Sequence, residues 1–289
     1  MVDPGWRRHF AAVLRVSRTS YYSPRTKQYI ADQLAIKQLE AVHIEHPFYG
    51  VRRLSMHLGW SENKTRRIRT MAGIVIPRAS KKRRYRKGSP EIMAPPNALK
   101  PYAVFRNETR PQDGQDYSAM VNAEAWVQDF THLWFDRQWY YLAVVLDLKT
   151  RQVVGWRVGA NHSSELTYSA LLDALSKHTA PAILHSDQGS EYLSYKHELL
   201  CQKMEITLSC SDKSSPWQNG FMERFFGNFK HELGSLNRFK DLAELHEAVA
   251  LQIHYYNTKR IHTALKTTPA AYAASLQKSS DKVFAEKVA

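Results

Sequence analysis

Apolar and polar positions in the first third of the chain follow a helical pattern. Residues 26–45 contain neither Gly nor Pro and are rich in helix formers, so they predict a helix, although their apolar positions do not form one clean stripe. Apolar residues then recur at helical spacing over 51–58, where Gly59 is expected to end the helix, and a further helix is predicted from a Ser61 cap to Gly73. Two short helices joined by a Gly-containing turn are typical of a helix-turn-helix, a pattern that also occurs in purely structural bundles.

Beyond residue 120 the pattern changes to strands and then to alternating strands and helices. We predict strands at 126–133, 139–148, 152–159, 182–187 and 206–211, and helices at 164–178, 194–204, 219–234 and 242–258. Short connections make the first three strands an antiparallel meander, and the later alternation adds parallel strands. The expected fold is therefore α/β, a mixed five-stranded sheet flanked by helices, preceded by a small all-α helix-turn-helix domain.

The proline distribution divides the chain. Five prolines fall among polar residues between positions 88 and 120, with little periodicity, so this segment is predicted to be a linker. The predicted organisation is listed here in chain order: a basic helical DNA-binding region at 1–87, the Pro-rich linker at 88–120, a catalytic domain at 121–275 and a polar, fraying tail at 276–289. The total of 289 residues suits one large domain or two ordinary ones.

Positive charge is concentrated near the N-terminus. The whole chain has 41 Lys and Arg against 27 Asp and Glu, and residues 1–100 hold 21 of the basic and 6 of the acidic side chains. Such a segment attracts a polyanion, because pairing with phosphates releases counterions. Seven of the ten residues in 78–87 are basic, which favours a DNA-contacting arm over a merely solubilising tract. The predicted DNA contacts are Lys64, Arg66, Arg67 and Arg69 on the second short helix and Lys81, Lys82, Arg83 and Arg84 in the run.

Several classes of protein are excluded by composition. The longest apolar run, 139–146, is far shorter than the roughly 20 residues that cross a bilayer. The first residues contain no apolar stretch of signal-peptide length. We therefore expect a cytoplasmic protein without a membrane partner. Cys201 and Cys210 are expected to be small buried hydrophobes. The sequence contains no Gly-rich phosphate-binding loop, so we do not expect the protein to use ATP. His43 and His46 lack a downstream CxxC partner, so they are predicted to be structural rather than zinc ligands.

Three acidic side chains occupy unusual positions in this layout. Asp129 lies inside the first strand, where an acid without a counter-charge is costly. Asp187 ends the fourth strand, at the edge where open sheets place ligands, and Glu223 lies in the first turns of the helix after SSPWQNG. Taken singly, a strand Asp is more often a turn or ladder feature and Glu223 fits an exposed helix acid. The prediction of a site therefore depends on all three together.

These carboxylates converge if the first and fourth strands are neighbours, which a right-handed crossover would produce. Carboxylates so placed repel one another, so either some take up protons or a divalent cation binds among them. Oxygen ligands suit Mg²⁺ or Mn²⁺, and two such ions are the known arrangement for displacement at phosphorus. The expected site is thus a cage for two divalent ions.

Neighbouring side chains invite two interpretations each. Gly227 and Lys230 lie four and seven positions after Glu223, on the same helix face, so Lys230 either points toward DNA or is an ordinary surface lysine. His185 lies on the same side of its strand as Asp187 and either orients an anion or packs in the core. Asp147 ends the second strand, and DLKTRQ is typical of an ordinary turn.

Motifs around the acids resemble a known family. QDFTH, HSDQGSEY and SPWQNGFMERFFGNFKHEL, with 35 residues between Asp187 and Glu223, resemble the DDE motif of retroviral-integrase-like transposases. HPFYGVRRL (46–54) and YYNTKRIHTALKTTPAAY (255–272) resemble the helix-turn-helix segment and the C-terminal signature of the larger reading-frame product of bacterial insertion sequences that use frameshifting. Two departures, WQNG in place of a common Asp-Asn pair and Ile261 in place of a common Pro, bear on the subgroup.

The resemblance implies an RNase H-like core, Mg²⁺-dependent cleavage of transposon ends and transfer of the 3′-hydroxyl to another DNA strand. It implies that Asp129, Asp187 and Glu223 are the metal ligands, that DNA is the partner, and that the chain acts as a homo-oligomer, with the product of an upstream overlapping frame as a further partner. Two alternatives stay open: an RNase H-like nuclease without joining activity, and a non-catalytic DNA-binding regulator.

Overall fold

A computed structural model describes residues 12–13, 25–77, 94–105, 115–116, 125–213 and 215–288. The chain divides into two compact units, residues 1–78 and 79–289, which are described separately below. Among the helices of the described residues, none combines the length and apolar character that a bilayer crossing requires.

The first unit contains three helices. They are α1 (Arg25–Glu45), α2 (Val51–Leu58) and α3 (Glu62–Met71). Leu39 of α1 and Ile68 of α3 are fully buried in a small shared core, which explains why α1 forms without one clean apolar stripe. Gly59 ends α2 in the left-handed conformation, and the Ser61 hydroxyl caps α3 by accepting the Lys64 N–H at 3.3 Å. The two predicted short helices are present, and α3 ends at Met71, two residues before the predicted Gly73.

The second unit is built on a five-stranded mixed sheet. Its elements in chain order are β1 (Val104–Phe105), β2 (Gln115–Asp116), β3 (Ala125–Phe135), β4 (Gln138–Asp147), β5 (Val153–Gly159), α4 (Ser164–Leu175), β6 (Ile183–Ser186), α5 (Tyr195–Lys203), β7 (Thr207–Cys210), α6 (Gly220–Leu233), α7 (Leu242–Thr258) and α8 (Pro269–Val288). The sheet order is β5-β4-β3-β6-β7, with β3 antiparallel to β4 and parallel to β6. The predicted mixed five-stranded sheet flanked by helices is confirmed.

Each face of the sheet is covered by helices. The aromatic side chains Phe225, Phe226 and Phe229 of α6 and the apolar face of α7 bury one sheet face. Helices α4 and α5 bury the other, and Gly155 of β5 lets α4 approach, because a Cβ there would lie 2.4 Å from the Ala170 carbonyl oxygen. Both cysteines are free and buried, as predicted.

The structure differs from the sequence prediction at two segments. Part of the predicted linker packs on the sheet: Leu99 is fully buried, the Ala98 N–H donates to the Ser209 hydroxyl, and β1 pairs with β2. This packing could not be predicted from the sequence pattern, because the prolines interrupt the periodicity of the segment but do not prevent its side chains from being buried. The predicted tail from 276 lies within α8, since no Gly or Pro follows Pro269 to end that helix.

A buried ion pair holds the end of α6. Arg260, which lies in the C-terminal signature, contacts Glu232 of α6 through both Nε and Nη2, with a shortest distance of 2.6 Å. The two side chains are only 2% and 7% exposed. Since α6 carries Glu223, this arginine of the signature has a structural role in fixing that helix.

Arg260→Ala is expected to lower the free energy of unfolding by about 3–5 kcal/mol, because it leaves the Glu232 carboxylate buried without its partner. The double variant Arg260→Met/Glu232→Gln, which buries no charge, is expected to lose less. Urea unfolding followed by circular dichroism measures both. A loss below about 1 kcal/mol for Arg260→Ala would show that the pair does not hold α6.

Candidate active site

The register of two parallel strands places Asp129 and Asp187 side by side. In the β3–β6 ladder Ala125 pairs with Ile183 and Val127 with His185. Continued by two residues, the same register sets Asp129 opposite Asp187, which comes directly after β6. Asp129 is half-buried and Asp187 lies at the surface. Backbone N–H groups orient both carboxylates: Phe130 donates to Asp129 at 2.8 Å, and Gly189 donates to Asp187 at 3.0 Å.

Helix α6 brings the third acid over the same edge of the sheet. Glu223 lies in its first turn and is half-buried, while Met222 and Phe226 on the same helix are buried in the core. The position of Glu223 is therefore set by the packing of α6 on the sheet.

Electrostatic effects show that the acids share one neighbourhood. The pKa of Asp129 is raised well above its ordinary value, first by burial and then by the negative charges of Asp187, Glu191 and Glu223. The pKa of Asp187 is also raised, by restricted hydration and by Glu191, while the Gly189 hydrogen bond opposes the shift. A sheet edge that gathers several acidic side chains in this way favours a bound cation.

The acids do not form a closed cage in the described chain. Within the described ranges, no three His, Cys, Asp or Glu side chains are arranged to hold a metal ion. Asp187 and Glu223 lie near enough to Asp129 to raise its pKa. The two-ion site at these three residues stays a prediction. Carboxylates without a cation between them repel, so they are expected to draw together only around a positive charge.

A fourth acid, Glu191, belongs to the site and was missed by sequence reasoning. It is 8% exposed, raises the pKa of both aspartates, and forms a hydrogen bond with His162 at 3.1 Å. Gly189 makes room for it, because a Cβ there would lie 2.4 Å from the Glu191 Oε1. The motif HSDQGSEY contained the signal: a second acid four residues after Asp187, beyond a glycine.

Two buried polar side chains at the site make no hydrogen bond with described residues. The Tyr192 hydroxyl is one, and negative charge on Asp129, Asp187 and Glu191 adds to burial in raising its pKa well above the ordinary value. The Asn219 amide is the other, one helical turn before Glu223. An unsatisfied buried polar group costs about 1–3 kcal/mol, and such groups point to functional sites.

The predicted neighbours differ in their placement. Lys230 is exposed and its charge lowers the pKa of His132, after burial, so it lies on the active-site side of α6, and a Cβ at Gly227 would meet open space. His185 is a packed core histidine: it bonds the Ser209 and Ser211 hydroxyls, and burial lowers its pKa to about 4. Asp147 holds an ordinary turn by accepting from the Lys149 and Thr150 amides.

The residues predicted to contact DNA in the first unit differ in their exposure and in their partners. Lys64 and Arg66 are exposed on α3, with the Lys64 ammonium 4.1 Å from the centre of the Trp60 ring. Arg67 instead forms a two-pronged ion pair with the buried Asp32 carboxylate, at 2.6 and 2.8 Å. Arg69 is half-buried. The remaining predicted contacts, Lys81, Lys82, Arg83 and Arg84, lie outside the described residues.

The histidines before α2 have no metal partners among the described residues. His46 is buried and stacks on Tyr49 at 4.3 Å between ring centres, with His57 edge-on at 5.0 Å. This packing agrees with the structural role predicted for His46.

Two known protein families match the part of the chain that forms the sheet and the helices after it. The integrase core domain family matches residues 122–216, and a second integrase core domain family matches residues 204–269. Together the two matches span all three acids and Glu191.

Similar proteins include insertion-sequence products. The putative transposase InsK of insertion sequence element IS150 from Escherichia coli is 30% identical over 241 residues, covering 81% of this chain and 80% of that protein. An uncharacterized 31 kDa protein of insertion element IS600 from Shigella sonnei is 29% identical over 90% of this chain and 96% of its own length. Among solved structures, the HTLV-2 integrase catalytic core domain in complex with magnesium is 23% identical, with a TM-score of 0.44 over 53% of this chain and 97% of that one.

Asp129→Asn is expected to raise the free energy of unfolding of the metal-free protein at neutral pH by about 1 kcal/mol. The raised pKa means that ionised Asp129 costs the folded state free energy, whereas Asn is neutral and can still accept the Phe130 N–H. The gain should vanish as the pH falls below the ordinary carboxylate value of 3.8, where Asp129 is protonated in both states.

Urea unfolding in EDTA measures this effect, with Asp147→Asn as the matched control. Asp147 holds a turn through several hydrogen bonds, so its substitution should give no gain. Destabilisation by Asp129→Asn at neutral pH would contradict the repulsive cluster.

Proposed function

The chain belongs to the insertion-sequence transposases with an integrase core, enzymes of the polynucleotidyl transferase class that carry out DNA transposition, and we propose that Asp129, Asp187 and Glu223 are its catalytic carboxylates. The observation that carries this assignment is the β3–β6 register, which continued by two residues sets Asp129 opposite Asp187, together with the packing of α6, the helix of Glu223, on the same sheet. They come from three distant parts of the sequence, and no ion pair among the described residues neutralises Asp129 or Asp187.

The donor set fits hard divalent cations. Carboxylate oxygens are the preferred ligands of Mg²⁺ and Mn²⁺. The pKa of Asp129 is raised first by burial and then by the negative charges of Asp187, Glu191 and Glu223. We propose that Asp129, Asp187 and Glu223 hold two such ions. When bound, such ions activate the attacking oxygen and stabilise the leaving oxygen in a displacement at phosphorus.

The protein's own residues then position the DNA and the acids. The register of β3 and β6 holds the two aspartates together, α6 holds Glu223 over them, and Glu191 with His162 fixes the loop after Asp187. In the proposed reaction, water attacks the phosphodiester at the transposon end and a 3′-hydroxyl leaves. That hydroxyl then attacks a phosphodiester of the target, so one P–O bond forms as another breaks and no nucleotide triphosphate is consumed.

DNA binding is proposed for both units. Lys64 and Arg66 of α3 are exposed, and the basic run with Lys81, Lys82, Arg83 and Arg84 would add phosphate contacts. Arg67 and Arg69 are weaker candidates, since Arg67 is engaged with Asp32 and Arg69 is half-buried. Lys230 would meet the DNA beside the acids.

Joining two transposon ends requires at least two copies, so we propose a homo-oligomer on DNA. We propose, too, that the product of an upstream overlapping frame joins this assembly. The assembly is proposed to act on DNA in the cytoplasm.

Asp187→Asn is expected to lower strand transfer by at least about 1,000-fold while changing DNA affinity less than about twofold, because it removes one proposed metal ligand. The assay follows labelled oligonucleotides that carry the ends of the element, in Mg²⁺ and in Mn²⁺. Asp147→Asn, the same chemical change in a turn, should retain activity. Hydrolysis without joined products from the wild type would favour a nuclease, and unchanged activity of Asp187→Asn would overturn the assignment.

Mn²⁺ is expected to raise the melting temperature of the wild-type protein in a concentration-dependent way, because the ion binds the folded state only. The shift should be several degrees at about 100 times the dissociation constant. The Asp187→Asn protein should show less than half of it, and Asp147→Asn should match the wild type. Equal shifts for all three proteins would place the bound ion elsewhere.

A further inference from the structure

A short stretch near the start of the second unit, residues 97–99, docks on β7, the edge strand of the sheet. We call these three residues the clip. Leu99 is fully buried in the core, and the Ala98 N–H donates to the Ser209 hydroxyl at 2.9 Å. The Leu99 N–H donates to Asn97 Oδ1 at 3.0 Å. The clip is therefore a fixed part of the second unit, and the Asn97 side chain has a set orientation.

The Asn97 side chain reaches the loop before α6. Its Nδ2 donates to Gln218 Oε1 at 2.9 Å. The same Gln218 oxygen accepts the Asp212 N–H at 2.6 Å, and Gln218 Nε2 donates to the Asp212 carboxylate at 2.8 Å. Gln218 is only 7% exposed, so a partner lost here is not replaced readily by water. The bond from Asn97 thus holds a side chain that ties the loop together.

The chemistry of this contact requires an amide at position 218. Gln218 accepts from Asn97 and donates to Asp212 at the same time, which a carboxylate or an apolar side chain cannot do. The neighbouring ion pair between Lys100 and Asp212 is 3.5 Å long, with side chains 67% and 45% exposed, so it contributes little. The buried amide bonds therefore determine how the loop is held.

The loop residue Gln218 lies directly before the helix of Glu223. A single 3₁₀ turn, Pro216–Asn219, runs into α6 without an intervening residue, and the Gly220 N–H closes it on the Trp217 carbonyl. The Asn219 side chain makes no capping hydrogen bond with the described residues. An uncapped first turn is the part of a helix that frays most readily, and Glu223 lies in it. The turn before α6 therefore bears on the position of Glu223.

The clip also contacts a strand that supports Asp187. Ser209, which accepts the Ala98 N–H, bonds His185 Nδ1 at 2.8 Å. His185 lies on β6, two residues before Asp187. Adjacent residues of the clip thus reach the supports of two of the three proposed catalytic acids.

We propose that Asn97 and Gln218 are positioning residues for the reaction at the acids. Their hydrogen bond fixes the turn before α6 and so sets the position of Glu223 relative to Asp187. The proposal rests on the proposed function, since it takes Glu223 as a catalytic carboxylate. It assigns a role in the reaction to a residue of the Pro-rich segment, which the sequence pattern predicts to be a linker.

The first measurement is hydrogen exchange by mass spectrometry on the full chain, in EDTA and without DNA. Asn97→Ala is expected to speed exchange of residues 215–226 about 2- to 12-fold, the loss of one buried hydrogen bond. Gln218→Ala also removes the bonds to Asp212, so its effect should be at least as large. The double variant should match Gln218→Ala within about twofold, because the bond from Asn97 is already lost. Residues 164–175 of α4 should exchange as in the wild type.

The second measurement is single-turnover strand transfer with the labelled oligonucleotides that carry the ends of the element. Asn97→Ala is expected to lower the rate at saturating DNA about 5- to 100-fold, because a small displacement of a catalytic group is costly. The half-saturating DNA concentration should change less than about twofold, since Asn97 acts through Gln218 on Glu223. A merely structural role would move neither value at a temperature at which all variants are folded.

Two further variants isolate the bond. Asn97→Asp keeps the acceptor for the Leu99 N–H and removes only the donor to Gln218, so it should change exchange and rate in the same direction as Asn97→Ala. Asn237→Ala makes the same chemical change at an exposed site in the turn Leu236–Arg238 and should match the wild type in both measurements.

Three results would overturn the proposal. Unchanged exchange of residues 215–226 in Asn97→Ala would show that the bond does not hold the turn. Faster exchange throughout the second unit would show a general stabilising contact, and faster local exchange with an unchanged strand-transfer rate would separate the turn from Glu223. A wild-type chain that forms no joined products would instead count against the proposed function, while the exchange data, taken without metal or DNA, still decide whether the clip holds the turn.

Discussion

Repulsion between carboxylates at one edge of a sheet is the constraint on which the rest of the structure depends. The β3–β6 register, continued by two residues, sets Asp129 opposite Asp187, and α6 brings Glu223 to the same edge of the sheet. Burial of ionised Asp129 beside other acids costs free energy, which the packed sheet and helices must offset. The surrounding features make this arrangement rigid: the backbone N–H bonds to both aspartates, and the Arg260–Glu232 pair at the far end of α6.

Much of this arrangement was predictable from sequence because it follows from periodicity. Two runs rich in β-branched and aromatic residues, 126–133 and 139–148, joined by a short connection, identified the hairpin. Every predicted sheet strand and flanking helix lies within about three residues of the observed one. An acid within an apolar strand and another at a strand end were conspicuous for the same reason. Asp147 shows the discrimination that local sequence allows, since its turn was recognisable from the residues that follow it.

Other features depend on tertiary contacts that spacing does not contain. Glu191 becomes part of the site only because the loop after Asp187 folds back past Gly189. Arg67 is spaced like a DNA contact, but Asp32 on a different helix engages it. The ring contact between Trp134 and Trp139 needs the exact β3–β4 pairing, because a shift of one residue would place the two side chains on opposite faces.

The two faces of the β3–β4 hairpin carry different kinds of side chain. Its inner face packs on α6 and α7 and presents Asp129, while its outer face presents the aromatic rings. Helix α6 carries Glu223, which adds to the rise in the pKa of Asp129. One hairpin thus contributes Asp129 to the groups proposed for chemistry.

The most direct test of the central claim is a crystal structure of the chain with Mn²⁺, analysed by anomalous scattering. We predict two manganese peaks about 3.5–4 Å apart, with Asp129, Asp187 and Glu223 oxygens among their ligands. Carboxylates that remain apart, with no anomalous peak between them at saturating Mn²⁺, would contradict the account.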